Sequence, residues 1–302
     1  MSFDKPILFL VFNRPLQAMI VFDTIRAQQP SRLYIAADGP RAHKSGEKEL
    51  CEETRKAVLE AIDWPCDVRT LLRDENLGCG KAVSSAINWF FYQEEDGIIL
   101  EDDCVPDPTF FSFCASMLDR FKDDDNIYHI NGSNFQMEHT RGDGSYYMSR
   151  YAHIWGWASW RRAWEQYDFT MNKYADRSRE GLNNMLRDEL QRIYNKEVDT
   201  WDIQWFFSVW FNHGACITPN CSLVRNIGYG KDATHTHQTP PWFRKIRYGT
   251  LPAITHPSVL SCDTTADQFT ADTLYNSSVL VKKLKKIVKT NPILSKLYQL
   301  LS

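Results

Sequence analysis

Four apolar segments of strand length alternate with segments of helical periodicity in the first 103 residues of the chain. The predicted strands are PILFLVF (6–12), RLYIAADGPR (32–41), CDVRTLLR (66–73) and GIILEDD (97–103), and the predicted helices between them are LQAMIVFDTIRAQQ (16–29), KELCEETRKAVLEAI (48–62) and GKAVSSAINWFFYQ (80–93). This order predicts an α/β fold with a mostly parallel sheet flanked by helices. Ligands of such sheets bind beyond the carboxyl ends of the strands, so we expect the functional site there.

After residue 104 the regular alternation ends. The predicted elements are a helix at 108–121, a short strand at 127–134, an aromatic-rich segment of mixed character at 154–168, helices at 183–195 and 200–214, and a strand-like segment at 215–228. No internal repeat or low-complexity linker divides the chain. We therefore predict one catalytic domain over residues 1–240, followed by a C-terminal extension over residues 241–302.

The overall charge and the cysteines argue against several classes of protein. A net charge of -3 and a pI near 6.2 argue against nucleic acid as the main partner, because phosphate backbones are bound by a concentrated basic surface. The 8 cysteines include no C-x-x-C pair, a pattern typical of reduced thiols in the cytosol. The apolar run at residues 6–12 is too short for a signal peptide or a membrane span, so we predict a cytoplasmic protein.

Three adjacent carboxylates, Glu101, Asp102 and Asp103, follow the fourth apolar segment. Like charges at the end of a buried strand repel one another, and their partial burial requires a compensating positive charge. Carboxylate oxygens are preferred ligands of hard divalent cations, so the cluster predicts a Mg²⁺ or Mn²⁺ site. A solvated acidic turn before a proline-containing loop is the alternative.

The chain resembles the nucleotide-sugar-dependent glycosyltransferases of the GT-A fold, which carry an acidic D-x-D or E-D-D motif. Within that fold it looks like the bacterial polysaccharide glycosyltransferases related to α-mannoside N-acetylglucosaminyltransferase I. The resemblance runs in order through PILFLVFNRP, YIAADGPR, EDDCVPDPTFF, GWASWRRAW, TWDIQW and NIGYGKDATHT, over residues 5–240. It implies that a Rossmann-like nucleotide-binding half is merged with an acceptor half.

The resemblance implies roles for five residues at the predicted strand ends. Arg14 and Asp38 match the residues that hold the uracil and ribose of a UDP donor, and their hydrogen-bonding chemistry suits that task. Asp103 matches the direct metal ligand, whereas Asp102 and Glu101 match neighbours that contact the ribose or support the site. The alternatives are a strand-end salt bridge for Arg14 and a turn residue for Asp38.

Two further motifs are expected to contact the donor. In RDENLGCGKAV, two glycines precede a helix whose first turn contains Lys81, which predicts a phosphate contact; an ordinary loop is the alternative. The segment WGWASW matches the part of the family that forms the donor-sugar and acceptor pocket, and we assign Trp157 to the donor. Trp160 and Trp164 are expected to pack in the core.

The resemblance also implies a general base and a loop over the donor. Asp202, in TWDIQW, matches the acidic stretch that supplies the base for inverting transfer. An Asp that favours the dipole at a helix start is the alternative. The segment GYGKDATHTH, residues 228–237, resembles the loop that closes over the donor, with Lys231 at the phosphates and His235 at the metal; ordinary surface residues are the alternative.

Residues 279–302 are rich in lysine, contain no acid and place aliphatic residues on one helical face. This pattern predicts a basic amphipathic helix on an anionic membrane surface, which would make the protein peripheral to the inner face of the cytoplasmic membrane. Packing of this helix on the domain or on the partner in a homodimer is the alternative. Membrane contact would suit a lipid-linked glycan acceptor.

These observations together predict a metal-dependent, inverting glycosyltransferase. It would move a sugar from a UDP-sugar to a hydroxyl of a glycan or lipid-linked glycan in the synthesis of a surface polysaccharide such as lipopolysaccharide. A sugar nucleotidyltransferase and a non-catalytic sugar-binding relative are the alternatives. The N-terminal segment lacks the G-x-G-T-R-like loop typical of nucleotidyltransferases, and a non-catalytic relative would bind the donor without turnover.

Overall fold

The structure is a computed structural model that describes residues 3–229 and 240–275. Its first half contains β1 (Ile7–Val11), α1 (Pro15–Gln28), β2 (Arg32–Ala37), α2 (Glu47–Glu60), β3 (Asp67–Leu72), α3 (Cys79–Gln93) and β4 (Asp96–Glu101). Each of these elements was predicted. Helix α1 begins at Pro15, whose fixed φ angle suits the first turn of a helix.

The second half is less regular. It contains β5 (Cys104–Pro106), α4 (Pro108–Arg120), β6 (Ile127–Asn131), β7 (Tyr146–Ser149), β8 (Trp157–Trp160), α5 (Arg161–Trp164), α6 (Asn184–Tyr194), α7 (Asp202–Phe211), β9 (Ala215–Pro219), β10 (Val224–Asn226) and α8 (Thr264–Leu274). The segment of mixed character at 154–168 forms β8 and α5. The short strands β5 and β7 and the helix α8 were not predicted.

The central sheet has eight strands in the order β3-β2-β1-β4-β8-β6-β9-β7. The neighbours from β3 to β4 are parallel, as are β6 and β9, whereas β8 runs antiparallel to β4 and β6, and β7 runs antiparallel to β9. Helices α1 and α4 cover one face, where Phe22 and Phe110 are buried, and α3 and α7 cover the other, where Phe90 and Trp205 are buried. The predicted α/β class, a mostly parallel sheet flanked by helices, is confirmed.

The described part of the predicted extension, residues 241–275, packs onto this body. Asp263 is the N-cap of helix α8, and its side chain accepts a hydrogen bond from the Ala266 N–H. The Gln136 side chain donates to the Ala266 carbonyl at 2.9 Å, and the Ser149 hydroxyl donates to Asp267 at 2.6 Å. Side chain contacts distant in sequence therefore hold α8 in place, which explains why local patterns did not reveal its role.

A histidine with two occupied ring nitrogens lies in the core between β6 and α7. The His129 Nε2–H donates to the His153 carbonyl at 2.9 Å, and Nδ1 accepts from the Trp205 Nε1–H at 3.0 Å. The ring also stacks on Trp157 with 5.0 Å between centroids. Burial lowers the pKa of His129 to about 4. Protonation of Nδ1 would direct a second N–H at the Trp205 donor, so this network requires the neutral ring.

We expect His129→Gln to lower the free energy of unfolding by about 2–4 kcal/mol at pH 7.5, because a buried network is broken. The folded-state pKa is depressed, so only the unfolded chain takes up a proton as the pH falls through 6.5. This linkage lowers the free energy of unfolding of the wild type by roughly 2 kcal/mol between pH 7 and pH 5. Urea unfolding at pH 7 and at pH 5 should show that the difference in free energy of unfolding between the variant and the wild type shrinks by that amount at the lower pH. The exposed His43→Gln is the control; a pH-independent difference for His129→Gln would contradict the account.

Candidate functional site

A cavity of about 420 Å³ lies beyond the carboxyl ends of β1, β2 and β4. The predicted site residues that line it are Arg14, Asp38, Glu101, Asp102, Asp103 and Asp202. The first five converge because the carboxyl ends of neighbouring parallel strands share one edge of the sheet. Asp202, the first residue of α7, and Asp199, just before that helix, come from much later in the chain and complete the wall.

Arg14 supplies the positive charge that the acidic cluster requires. Its Nη2 donates to Asp102, and its Nη1 donates to Asp103 Oδ2 at 3.1 Å. Asp102 also accepts from the Phe12 N–H at 3.2 Å. Burial raises the pKa of Asp102 to about 6, against the opposing effect of Arg14. Arg14 therefore forms the strand-end ion pair that was predicted as the alternative to a uracil contact. It also lines the cavity.

The cluster carries more carboxyl groups than one guanidinium can compensate. Glu101 Oε1 is buried and has no hydrogen-bond partner among the described residues. Burial, together with the nearby carboxylates Asp103, Asp102 and Asp202, raises the pKa of Glu101 well above its usual range. A cation in the cavity would relieve this repulsion, and the all-oxygen donor set fits Mg²⁺ or Mn²⁺.

Within the described residues, no group of three or more His, Cys, Asp or Glu side chains forms a ready-made metal cage. Mg²⁺ is commonly held by only one or two carboxylates together with the phosphates of a substrate. The residues present therefore fit a metal that is shared between Asp103 and a bound diphosphate. The other predicted ligand, His235, lies outside the described residues, as does Lys231.

Asp103 is held in place by a two-stranded ribbon in which β10 pairs with β5. The Asn226 side chain donates to Asp103 Oδ1 at 3.3 Å, and the Ile227 N–H donates to the Asp103 carbonyl at 2.8 Å. A Cβ atom on Gly228 would lie 2.0 Å from Asp103 Oδ2, so only glycine fits beside this carboxylate. Asn226, which no sequence motif indicated, is thus a positioning residue for Asp103.

Asp38 lies at the end of β2, on the opposite wall of the cavity. It accepts from the Leu77 N–H at 3.0 Å and from the Asn76 side chain at 2.9 Å. Burial raises its pKa, although the hydrogen bond from the Leu77 N–H opposes the shift. Arg41 and Arg73, also missed from the sequence, line the same wall. Arg73 lies at the end of the third predicted strand, and this strand-end position could have indicated that it belongs to the site.

The amino terminus of α3 is occupied by a side chain of the protein itself. Asp199 accepts from the Gly80 N–H at 2.9 Å and from the Cys79 N–H at 3.1 Å. Gly78, with φ of 81°, would place a Cβ atom 2.5 Å from Asp199, so glycine is required there. Lys81 is exposed and does not line the cavity. The predicted phosphate contact at this helix is therefore corrected: the anion bound by α3 is Asp199.

The predicted contact between Trp157 and the donor is also corrected. Trp157 has no exposed surface, because it packs between His129 and Trp201 in the core. Trp155, two residues earlier and outside β8, lines the cavity instead. Trp160 and Trp164 are buried, as predicted.

Asp202 is the first residue of α7 and lies between two cavities. Its side chain accepts a hydrogen bond from the Thr200 hydroxyl. It lines the large cavity and also a second one of about 270 Å³ on the other side of Ile154 and Trp155. A single carboxylate thus faces both spaces, which is the arrangement that a general base between two substrates requires.

Two predicted segments extend beyond the described structure. The loop at 228–237 is described only for Gly228 and Tyr229, both of which line the large cavity, and the basic segment 279–302 lies outside the described residues. None of the described helices has the length and hydropathy needed to cross a bilayer.

No protein-family model and no curated protein matches the sequence. Solved structures that resemble the chain include TarS residues 1–349 of S. aureus, at 9% identity and a TM-score of 0.40 over 73% of this chain and 59% of that chain. The 4-diphosphocytidyl-2C-methyl-D-erythritol synthase of Anaerococcus prevotii has 10% identity and a TM-score of 0.39 over 77% and 97%. UDP-glucose pyrophosphorylase complexed with UDP-glucose has 9% identity and a TM-score of 0.35 over 72% and 90%. Function is therefore inferred from the site itself.

Proposed function

We propose that the protein is a metal-dependent, inverting glycosyltransferase. It moves a sugar from a UDP-sugar donor to a hydroxyl group of a glycan or lipid-linked glycan in surface polysaccharide synthesis. The observation that carries this proposal is the position of Asp202, which faces both an acidic, arginine-bordered cavity and a second cavity of different character. A transferase needs two such spaces that meet at one base.

The large cavity is assigned to the donor. On the wall with Asp38 and Arg73, the Asp38 carboxylate can accept a hydrogen bond from a nucleoside and the Arg73 guanidinium can donate one. Arg73 has no ion pair within the described residues. The opposite wall carries Asp102 and Asp103, where the sugar diphosphate would lie with Mn²⁺ or Mg²⁺. When bound, that ion supplies positive charge to the departing diphosphate.

Asp202 is assigned the role of general base. Its carboxylate takes the proton of the acceptor hydroxyl while the hydroxyl oxygen attacks the anomeric carbon of the donor sugar. Attack from the side opposite to the leaving diphosphate inverts the anomeric configuration. A lipid-linked acceptor would reach the site from an anionic membrane surface bound by residues 279–302, a segment outside the described residues.

Isothermal titration with a panel of nucleotide sugars, with and without Mn²⁺, tests the proposal. We expect a UDP-sugar to bind in the presence of Mn²⁺ and its affinity to fall at least tenfold after chelation. Incubation of the donor-bound protein with a glycan acceptor should then release UDP, because the sugar moves to a hydroxyl of the acceptor. Release of pyrophosphate from UTP and a sugar 1-phosphate would indicate a nucleotidyltransferase instead, and binding without any UDP release would indicate a non-catalytic relative.

A further inference from the structure

The second cavity is lined almost entirely by aromatic and aliphatic side chains. Phe135, Trp155 and Phe206 come from the main domain, whereas Trp242 and Tyr275 come from the segment that follows residue 240. Among the described lining residues, Asp202 is the one carboxylate, and neither lysine nor arginine is present. A space with this lining favours a neutral ligand with apolar faces and disfavours an anion, which would meet Asp202 without a counter-charge.

The His153 ring lines this cavity and has no hydrogen-bond partner among the described residues. The His153 side chain is about 94% buried, since only 6% of the residue is exposed. Neither of its ring nitrogens makes a hydrogen bond within the described chain, and its ring packs edge-on against Phe135 with 4.6 Å between centroids. Burial and the neighbouring His129 lower the pKa of His153 to about 3, so the ring is neutral.

The backbone of His153 is firmly held while its ring faces the cavity. Its N–H donates to Asn131 Oδ1 at 2.6 Å, and its carbonyl accepts from His129 Nε2 at 2.9 Å. Because His153 lines the cavity, its ring nitrogens are in a position to hydrogen-bond to a ligand or a water molecule there. A neutral imidazole has one donor and one acceptor nitrogen, which matches a sugar hydroxyl.

We propose that this cavity binds a neutral saccharide unit of the acceptor, with His153 hydrogen-bonded to one hydroxyl and the aromatic wall of Trp155 and Trp242 against its apolar face. This inference rests on the proposed function. A second hydroxyl then faces Asp202. Its oxygen bonds to the anomeric carbon, the bond from that carbon to the diphosphate breaks with its electron pair leaving on UDP, and the proton moves to Asp202.

Saturation-transfer NMR in the presence of UDP and Mn²⁺ tests this assignment without requiring turnover. The probes are methyl glycosides of glucose, galactose, mannose and N-acetylglucosamine, and the corresponding 6-phosphates. We expect at least one neutral glycoside to bind the full-length protein, and its 6-phosphate to bind at least tenfold more weakly. Binding of no neutral glycoside, or tighter binding of the phosphate, would overturn the proposal.

His153→Phe keeps a ring against Phe135 but removes both nitrogens, and we expect it to weaken glycoside binding at least tenfold. Trp242→Ala, at a half-buried position, is a second variant in case His153→Phe does not fold, with the same expectation. UDP affinity should change less than twofold in both. The exposed Tyr92→Ala is the control. Unchanged glycoside binding in the folded variants would overturn the assignment. Glycoside binding by a wild type that does not bind UDP would refute the proposed transfer while leaving the saccharide cavity supported.

Discussion

Replacement of Asp202 by Asn is expected to lower kcat for sugar transfer by about 10²- to 10⁴-fold, the usual contribution of a general base. The amide keeps the shape of the side chain and an oxygen for the Thr200 hydroxyl, but it cannot take the acceptor proton. The affinity for UDP should change less than twofold, because the carboxylate lies at the boundary between the large cavity and the second cavity. Rates of UDP release and of product formation, measured beside UDP affinity, test this expectation.

A purely structural role for Asp202 at the start of α7 gives a different result. In that case the variant would lose stability and keep its kcat, since a helix-terminal carboxylate contributes only about 0.3–1 kcal/mol through the dipole. Asp263→Asn is the matched control, because Asp263 is the N-cap of α8 and accepts a hydrogen bond from that helix but does not line either cavity. Wild-type kcat in Asp202→Asn would also remove the basis for predicting inversion.

Replacement of Asp103 by Asn is expected to have a similarly large effect through the metal. Loss of a charge-neutralising ion at the leaving diphosphate removes several kcal/mol of transition-state stabilisation, on the order of a 10³-fold decrease in kcat/KM. The Mn²⁺ dependence of UDP binding should disappear in the same variant. Titration of UDP with and without Mn²⁺, combined with steady-state kinetics, measures both effects.

Asp96→Asn is the control for Asp103. Asp96 is a partly buried carboxylate at the other end of β4, where it pairs with Lys5 at 2.7 Å. The Asp96→Asn variant should retain activity and the Mn²⁺ dependence of UDP binding. An Asp103 variant that still binds UDP more tightly with Mn²⁺ would place the ion elsewhere in the protein.

The convergence of the site could be predicted from the sequence because it follows from strand order. Arg14, Asp38 and the carboxylates at 101–103 lie at or just beyond the carboxyl ends of β1, β2 and β4, and parallel strands bring these ends to one edge. Hydrophobic periodicity alone is sufficient to place these residues together. The pairing of Arg14 with Asp102 and Asp103 was predicted as the alternative to a uracil contact, and the need to balance the charge of the carboxylates favours it.

The errors arose where contacts are distant in sequence or depend on the face of a strand. Asp199 caps α3 from 119 residues away, and no local signal indicates that a glycine-rich helix start is already occupied. Trp157 is the first residue of β8 and is buried in the core, whereas Trp155 precedes the strand and lines the cavity. Which tryptophan reaches the cavity therefore depends on where β8 begins. The contribution of Trp242 and Tyr275 to the second cavity depends on tertiary packing in the same way.

A crystal structure of the protein with a UDP-sugar and Mn²⁺ tests the central claim most directly. The account predicts the uridine along the wall of Asp38 and Arg73, an ion within about 2.2 Å of an Asp103 oxygen and the diphosphate, and the anomeric carbon facing Asp202. A nucleotide bound outside this cavity, or a diphosphate with no ion beside Asp103, would contradict it.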